Sequence, residues 1–369
     1  MQNKLKNIIS NFEIYGDYII GVPFGTGHIN DTYQVAFNQG GTIVHYTLQR
    51  INHNVFKNPV KLMENIERVT SHLANKDKDK IGGVSRKTLQ VVKTHSGENL
   101  YKTEEGAYWR CYLFIENART FDILETDKQA FEAAKAFGKF QSDLVDIPGG
   151  RLFETIKDFH NTPSRLANLK EAIKLDKVGR VKDVQKEIDF IMARESDCGV
   201  LLDFLNKGWI TERITHNDTK LNNVLIDDVT SEGICVIDLD TVMPGLSHYD
   251  FGDMIRTGTS PAAEDEMDLN KVTMRFNMFE ALLRGYLTGA NGFLNELELE
   301  YLPFSGKLIT MEIGIRFLTD YLDGDNYFKI HREHHNLDRC RTQLKLVESI
   351  ESQLDKMKLK VNEIVKESK

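Results

Sequence analysis

The chain runs to 369 residues, 41% of them hydrophobic and 28% charged, with a formal net charge of -8 at pH 7. That length fits roughly two to three domain-sized units with a large buried core, and the composition has no disordered signature. The acidic balance, without any sustained basic stretch, argues mildly against a nucleic-acid or anionic-membrane surface, and a monomer is expected.

In chain order, residues 1–16 read as a short amphipathic helix with Leu5, Ile8, Ile9 and Phe12 on one side. Tyr18-Ile19-Ile20 opens a strand, Phe24-Gly25-Thr26-Gly27-His28-Ile29-Asn30 is a glycine-bearing turn, and Thr32–Ala36 and Thr42–Arg50 are two further strands. Asn58-Pro59 has the form of a helix start, N-cap then proline, followed by a stripe of Leu62, Met63, Ile66, Val69 and Leu73. After a polar loop over 74–87, strands are predicted over Thr88–Lys93, Leu100–Lys102 and Ala107–Ile115. Beyond Ala118 the pattern turns helical: Asp127–Leu144, then a loop over 148–175, then 183–206. Past Asp240 helices are expected over 262–290, 295–303, 307–323 and 336–367, with Tyr249-Asp-Phe-Gly-Asp253 starting another and its aspartates acting as caps. A mostly-β first third and a mostly-α remainder predict an α+β chain divided near residue 117. Met1-Gln-Asn-Lys-Leu-Lys-Asn7 has no apolar signal core, no run approaches membrane-spanning length, and Cys111, Cys198, Cys235 and Cys340 form no C-x-x-C pair. Zinc and thioredoxin-like readings therefore fail, and a cytoplasmic protein with reduced thiols is expected.

Between the helical segments lies Arg213-Ile-Thr-His-Asn-Asp-Thr-Lys-Leu-Asn-Asn-Val-Leu-Ile-Asp227, followed by Ile234-Cys-Val-Ile-Asp-Leu-Asp240. Asn223 stands five residues past Asp218, and Asp238 fifteen past Asn223. This is the layout of a phosphoryl-transfer site. Such chemistry needs a carboxylate to accept a hydrogen bond from the attacking hydroxyl, hard oxygen ligands for magnesium, and a cation on the transferring phosphate. Asp218 suits the first role, Asn223 and Asp238 the second, and Lys220 the third. His216 holds the loop, and for Asp240 the pattern offers no more than a cap on the following turn. Two apolar runs around Asp227–Gly233 predict a hairpin with Asn223 at one end and Asp238 at the other.

These stretches resemble the catalytic loop and metal-binding aspartate of the aminoglycoside-phosphotransferase branch of the protein-kinase-like fold. The longer run His216–Asn223, Ile237-Asp-Leu-Asp-Thr241, Pro244-Gly245 and Tyr249–Asp253 is similar to the N-acetylhexosamine 1-kinases, and the likeness extends from Gly25-x-Gly-His-Ile-Asn30 to Phe304-Ser-Gly306 and Arg316-Phe-Leu-x-Asp-Tyr321. It implies a bilobal protein-kinase-like fold, with a small antiparallel-sheet N-lobe over 1–117, a larger helical C-lobe over 118–369, and ATP between them. Gly25 and Gly27 would cover the nucleotide phosphates, Gln49 would occupy the strand position where such folds carry a lysine, and Glu116 would lie at the hinge, where backbone groups meet adenine. The departure at Gln49 leaves the usual lysine–glutamate pair open: Glu64 or Glu67 could supply the helix carboxylate, and Lys57 or Arg50 the cation. His28, Arg316 and Tyr327 match positions that hold the sugar in these kinases. The implied reaction moves the γ-phosphate of ATP, with Mg2+, to the anomeric hydroxyl of GlcNAc or GalNAc, Asp218 serving as base.

Other readings use the same residues. A kinase of another sugar, choline or an aminoglycoside would share Asp218, Asn223 and Asp238; His28 and Arg316 speak against a cationic acceptor. A non-catalytic nucleotide-binding module is disfavoured because each base and metal position is filled. There is no G-x-x-x-x-G-K-[ST] P-loop, and no strand–helix context for a Rossmann site. Phe159-His-Asn-Thr-Pro-Ser-Arg165 lacks the leading Cys or Ser of a sulfatase motif and is either a roof over the acceptor or plain surface.

Overall fold

The computed structural model describes residues 1–25, 29–79, 85–121, 123 and 125–367. Its elements in chain order begin α1 (Gln2–Ile9), β1 (Asp17–Pro23), β2 (Asp31–Gln39), β3 (Thr42–Ile51), α2 (Pro59–Lys76), β4 (Val91–Val92), β5 (Tyr101–Lys102), β6 (Tyr108–Leu113) and β7 (Ala118–Arg119). They continue with α3 (Asp127–Asp143), α4 (Thr162–Leu175), α5 (Gln185–Met192), α6 (Val200–Asn206), β8 (Arg213–Thr215), β9 (Val224–Asp227), β10 (Gly233–Val236) and β11 (Met243–Gly245). The rest is helical: α7 (Ser247–Thr259), α8 (Phe276–Ala290), α9 (Glu296–Glu300), α10 (Leu302–Asp323), α11 (His335–Glu351) and α12 (Leu354–Glu367). An antiparallel sheet thus precedes a helical region, the expected α+β class. The chain forms two compact units: Met1–Thr120 with Asp143–Lys157 and Val224–Pro244, and Phe121–Ser142 with Asp158–Asn223 and Gly245–Lys369.

In the first unit β-branched and aromatic residues alternate along antiparallel strands. Among the described residues they form a six-stranded sheet in the order β1-β2-β3-β6-β4, with β5 also on β6. One face buries Val35, Phe37, Tyr46, Leu48, Trp109 and Cys111 against Leu5, Ile8, Ile9 and Phe12. α1 ends at Ile9, well short of residue 16, because Ser10 Oγ and Asn11 Nδ2 both turn back onto the Asn7 carbonyl. α2 starts as its sequence dictates: the Asn58 side chain accepts the Lys61 N–H at 3.1 Å and Pro59 fills the first turn, a cap worth about 1 kcal/mol. Leu62, Met63, Ile66 and Val69 are buried, as the stripe predicts. The strand expected over 88–93 shrinks to two residues. The predicted hairpin forms from β9 and β10, with Val224, which follows Asn223, paired to Val236, two residues before Asp238.

In the second unit α10 is buried on almost every side and packs against α4, α7 and α11. Glycines allow backbones to meet: a Cβ on Gly252 of α7 would lie 2.4 Å from the Ser305 carbonyl, and one on Gly285 of α8 would lie 2.1 Å from that of Phe131. Four sequence expectations change here. The loop over 148–175 contains α4, opened by Asn161 capping the Ser164 N–H with Pro163 behind it, the same signature that marks α2. The helix over 183–206 is broken into α5 and α6, where Arg194 turns to pair with both oxygens of Glu351 and Gly199 opens the next helix. Residues 262–275 are not continuous helix, since the Asp268 side chain takes the Asn270 N–H and sets a single 3-10 turn. The last helix is two, because Gln353 spends its amide on the Met274 carbonyl. Among the described residues no helix is long and apolar enough to cross a membrane, and all four cysteines are buried and unpaired.

Candidate active site

The catalytic stretch leaves β8 and turns sharply, with Asn217 at φ 65°. The turn is held by α7 as well as by its own side chains. Asp250 Oδ2 accepts the backbone N–H of His216 at 2.9 Å, its Oδ1 that of Asn217 at 2.7 Å, and its carbonyl the Thr219 hydroxyl at 2.6 Å. Gln141 of α3 also donates to Oδ2. Asp250 is therefore no helix cap, as the sequence had suggested; it sits inside α7 and satisfies the loop's donors. The His216 ring is buried against Phe137 and Phe140, and its Nδ1 accepts the Asp218 N–H at 3.3 Å. From the other side His160 Nε2–H donates to the Asn217 carbonyl at 3.0 Å, while its Nδ1–H is held by Glu312 Oε1 at 2.8 Å. Thr162 donates to the second Glu312 oxygen at 2.6 Å. Gly245 has to be glycine, since a Cβ there would lie 2.2 Å from Thr215 Oγ1.

Asp218 is part-buried on this rigid turn, with Lys220 Nζ 3.3 Å from its Oδ1. Burial opposes its charge, but Lys220, His216 and Arg256 together hold the carboxyl below its ordinary range. Lys220 is held above its ordinary range, chiefly by Asp218. Asn223 Nδ2 donates to the Asp218 carbonyl at 2.9 Å, so the amide oxygen is the end turned away from that bond. Asp253, expected as a cap, instead takes the Arg256 Nε–H at 2.8 Å. Arg256 is a second fixed cation close to Asp218 that no sequence pattern had singled out.

Arg316 of α10 lies among three rings, its guanidinium carbon 5.4 Å from the centre of Phe159, 6.0 Å from Tyr327 and 5.5 Å from Phe328. Tyr327 is 67% exposed. Its turn is built by Asp320, whose carboxylate accepts the N–H groups of Asn326, Tyr327 and Phe328 at 2.9, 2.7 and 2.9 Å. The Phe159–Arg165 segment, open between roof and surface on sequence grounds, supplies both a ring to Arg316 and His160 to the turn that carries Asp218.

In the sheet unit, Gly25 has φ 82° with no described residue within 4 Å of its Cβ position; Gly27 and His28 lie outside the described residues. Gln49 Nε2 donates to Thr32 Oγ1 at 2.9 Å, and its Oε1 accepts Arg110 Nε–H at 2.9 Å. Glu116 pairs with His45 Nδ1 at 2.6 Å, and its carbonyl accepts a bond from Arg86 at 2.8 Å. Both candidate helix carboxylates are paired elsewhere, Glu64 with Lys61 and Glu67 with Lys93, while Arg50 is taken by Asp31. Asp238 follows β10 at φ 57°, ψ 57° and enters a 3-10 turn over Leu239–Thr241. Asp240 is not a cap. It is 2% exposed and accepts from Arg110 and, at 2.6 Å, from Asn30. Among the described residues no three His, Cys, Asp or Glu side chains cluster as an all-protein cage. Magnesium shared with nucleotide phosphates needs only one or two protein oxygens, and the donor types of Asn223 and Asp238 fit it.

Against known proteins, residues 21–284 match the model of the phosphotransferase enzyme family APH. Among solved structures, an aminoglycoside phosphotransferase from Alicyclobacillus acidocaldarius superposes with a TM-score of 0.63 at 12% identity, covering 97% of this chain and 96% of that one. A spectinomycin phosphotransferase in complex with ADP and spectinomycin gives 0.58 at 12% identity, covering 96% and 98%. A choline kinase from Cryptosporidium parvum gives 0.54 at 16% identity, covering 98% of both chains. At these identities the likeness is one of fold, and that fold is the protein-kinase-like one.

Proposed function

The chain belongs to the phosphotransferase enzyme family, and from that premise we propose that it is an ATP- and Mg2+-dependent kinase of N-acetylhexosamines, forming the sugar 1-phosphate of GlcNAc or GalNAc. The observation that carries the reading is Asp218 on a turn fixed from both sides, with Lys220 Nζ 3.3 Å from its carboxylate. Asp218 accepts a hydrogen bond from the anomeric hydroxyl. As the sugar oxygen bonds to the γ-phosphorus, the bond to the bridging oxygen of ADP breaks and the hydroxyl proton passes to Asp218. Lys220 is assigned to move its charge from Asp218 to the transferring phosphoryl group. Bound magnesium would neutralise charge on the phosphates; Asn223 and Asp238 are the residues assigned to hold it. Gly25, Gln49 and Glu116 are assigned to the nucleotide side.

The acceptor assignment leans on Arg316 and Tyr327. Three rings surround the Arg316 guanidinium, so the aromatic box that would welcome a quaternary ammonium already holds a cation. A neutral, hydroxyl-rich acceptor with an apolar ring face suits an exposed tyrosine beside an arginine better than choline or an aminoglycoside does. The test is ATP consumption against N-acetylhexosamines, hexosamines, hexoses, choline and kanamycin, with NMR of the product. Turnover on GlcNAc or GalNAc with phosphate at O1 is expected. Phosphate at O6, or turnover on choline or kanamycin alone, overturns the assignment.

A further inference from the structure

The strand position expected to carry a lysine holds Gln49, and Glu64 and Glu67 of α2 are engaged elsewhere. The structure places another cation beside it. In the β3–β6 register Gln49 lies opposite Arg110, so the two side chains share a face. Arg110 is 1% exposed; its Nε–H goes to Gln49 and its Nη1–H to Asp240 Oδ1. The second Asp240 oxygen takes the Asn30 amide at 2.6 Å, and Asn30 in turn caps the Asn52 N–H at 2.9 Å. Across the same turn, Asn65 on the buried face of α2 donates to the Val242 carbonyl at 3.1 Å and to that of Phe153 at 2.7 Å. Three elements thus grip residues 240–242, and Asp238, in a left-handed conformation, is the residue that leads into the gripped turn.

A buried ion pair is seldom more stabilising than apolar side chains of the same volume, so its value here is in position. We propose that Arg110, acting through Asp240, is the positioning residue for Asp238, and that this strand-to-turn pair, with Asn65, replaces the lysine–glutamate pair of strand and helix. Arg110 aims the metal-binding carboxylate and does not itself bind the nucleotide. The inference rests on the reading of Asp238 as a metal ligand.

The test uses the full chain. The double variant Arg110→Met/Asp240→Leu removes both charges together, and its melting curve reports folding. Mn2+ affinity is read by electron paramagnetic resonance with a non-hydrolysable ATP analogue present, and analogue affinity is read separately in EDTA. Loss of a group that orients a ligand weakens metal binding by about 10- to 100-fold; that loss is expected, with kcat falling alongside and metal-free analogue binding unchanged. A folded double variant with parental Mn2+ affinity overturns the proposal, as does a parallel loss of metal-free analogue binding, which would make Arg110 a phosphate ligand. If the double variant does not fold, Arg110→Lys carries the test. It keeps the charge but loses the fork to Gln49, and a parental Mn2+ affinity in it is equally fatal. Asp238→Asn separates the two claims: parental Mn2+ binding there removes the underlying metal assignment, whereas its loss beside an unaffected Arg110 variant removes only the positioning role.

Discussion

Asp250 Oδ2 accepts the backbone N–H of His216 at 2.9 Å, and with Oδ1 on Asn217 at 2.7 Å it fixes the backbone that presents Asp218. Both carboxylate oxygens are needed as acceptors, because both partners are backbone donors. Asp250→Asn would turn an NH2 toward one of them, leaving two donors face to face in a buried site, at a cost of about 1–3 kcal/mol. We expect a lower melting temperature and a larger loss in kcat than in KM, since the loop that shifts carries Asp218, the proposed base. Calorimetry with steady-state kinetics checks this, and parental values in both would remove the clamp.

The base itself is tested by Asp218→Asn. An amide there still fills the site and still meets Lys220, but it cannot take the hydroxyl proton. Turnover should fall by roughly 10²–10⁴ with acceptor binding largely retained. Isothermal titration with the sugar and a non-hydrolysable nucleotide separates the two effects.

The charge environment of Asp218 gives a pH prediction. Despite burial, Lys220, His216 and Arg256 lower its carboxyl below the ordinary value of 3.8. Asp218, the proposed base, is therefore ionised at neutral pH, and activity is expected to be lost only as pH falls through that depressed value. Lys220→Met removes the largest of the lowering charges, so the acid limb of kcat should move to higher pH as kcat drops. Profiles of parent and variant that descend at the same pH would show that Lys220 does not act on the base.

His160 and Glu312 make a second, opposite pair of signs within one contact. Burial disfavours the His160 charge, but Glu312 raises it above its ordinary 6.5, so its stabilising effect is full below that value and fades as pH rises through the folded one. Burial likewise opposes the charge on Glu312, which His160 holds below its ordinary 4.5; its share is present above 4.5 and is lost as pH falls through the depressed value. The melting-temperature gap between the parent and Glu312→Gln should therefore be widest between pH 4.5 and 6.5 and narrow on both sides. A gap independent of pH would mean that the pair carries no charge.

Structure is legible in the sequence where chemistry and local periodicity coincide. The Asn58 cap, the sheet ahead of the helices and the hairpin after Asn223 all follow from nearest-neighbour rules. Structure is hidden where a side chain acts across the chain. Asp250 and Asp253 look like caps because Asp near a helix start usually is one; that Asp250 instead serves His216, 34 positions away in sequence, is a tertiary fact. Arg110 sits in an otherwise ordinary strand, and only the β3–β6 register puts it opposite Gln49. α4 has a local signal of the same kind, since Asn161 and Pro163 repeat the cap-and-proline pattern that marks α2.

In the proposed reading Arg316 discriminates between acceptor classes, because its charge is the feature that a neutral sugar tolerates and a quaternary ammonium does not. Arg316→Met keeps the aliphatic stem against Phe159 and Phe328 but leaves the ring cluster without its cation. If the acceptor is an N-acetylhexosamine, the lost hydrogen-bond donor should raise its KM by about 10-fold, equivalent to roughly 1.4 kcal/mol, with kcat less affected. An emptied aromatic box also gains affinity for cations, so any trace of choline turnover should rise in the same variant. Unchanged choline turnover with an unchanged sugar KM would place Arg316 outside the acceptor site, and Tyr327→Phe, which keeps the ring and removes only the hydroxyl, tests its neighbour separately through the sugar KM.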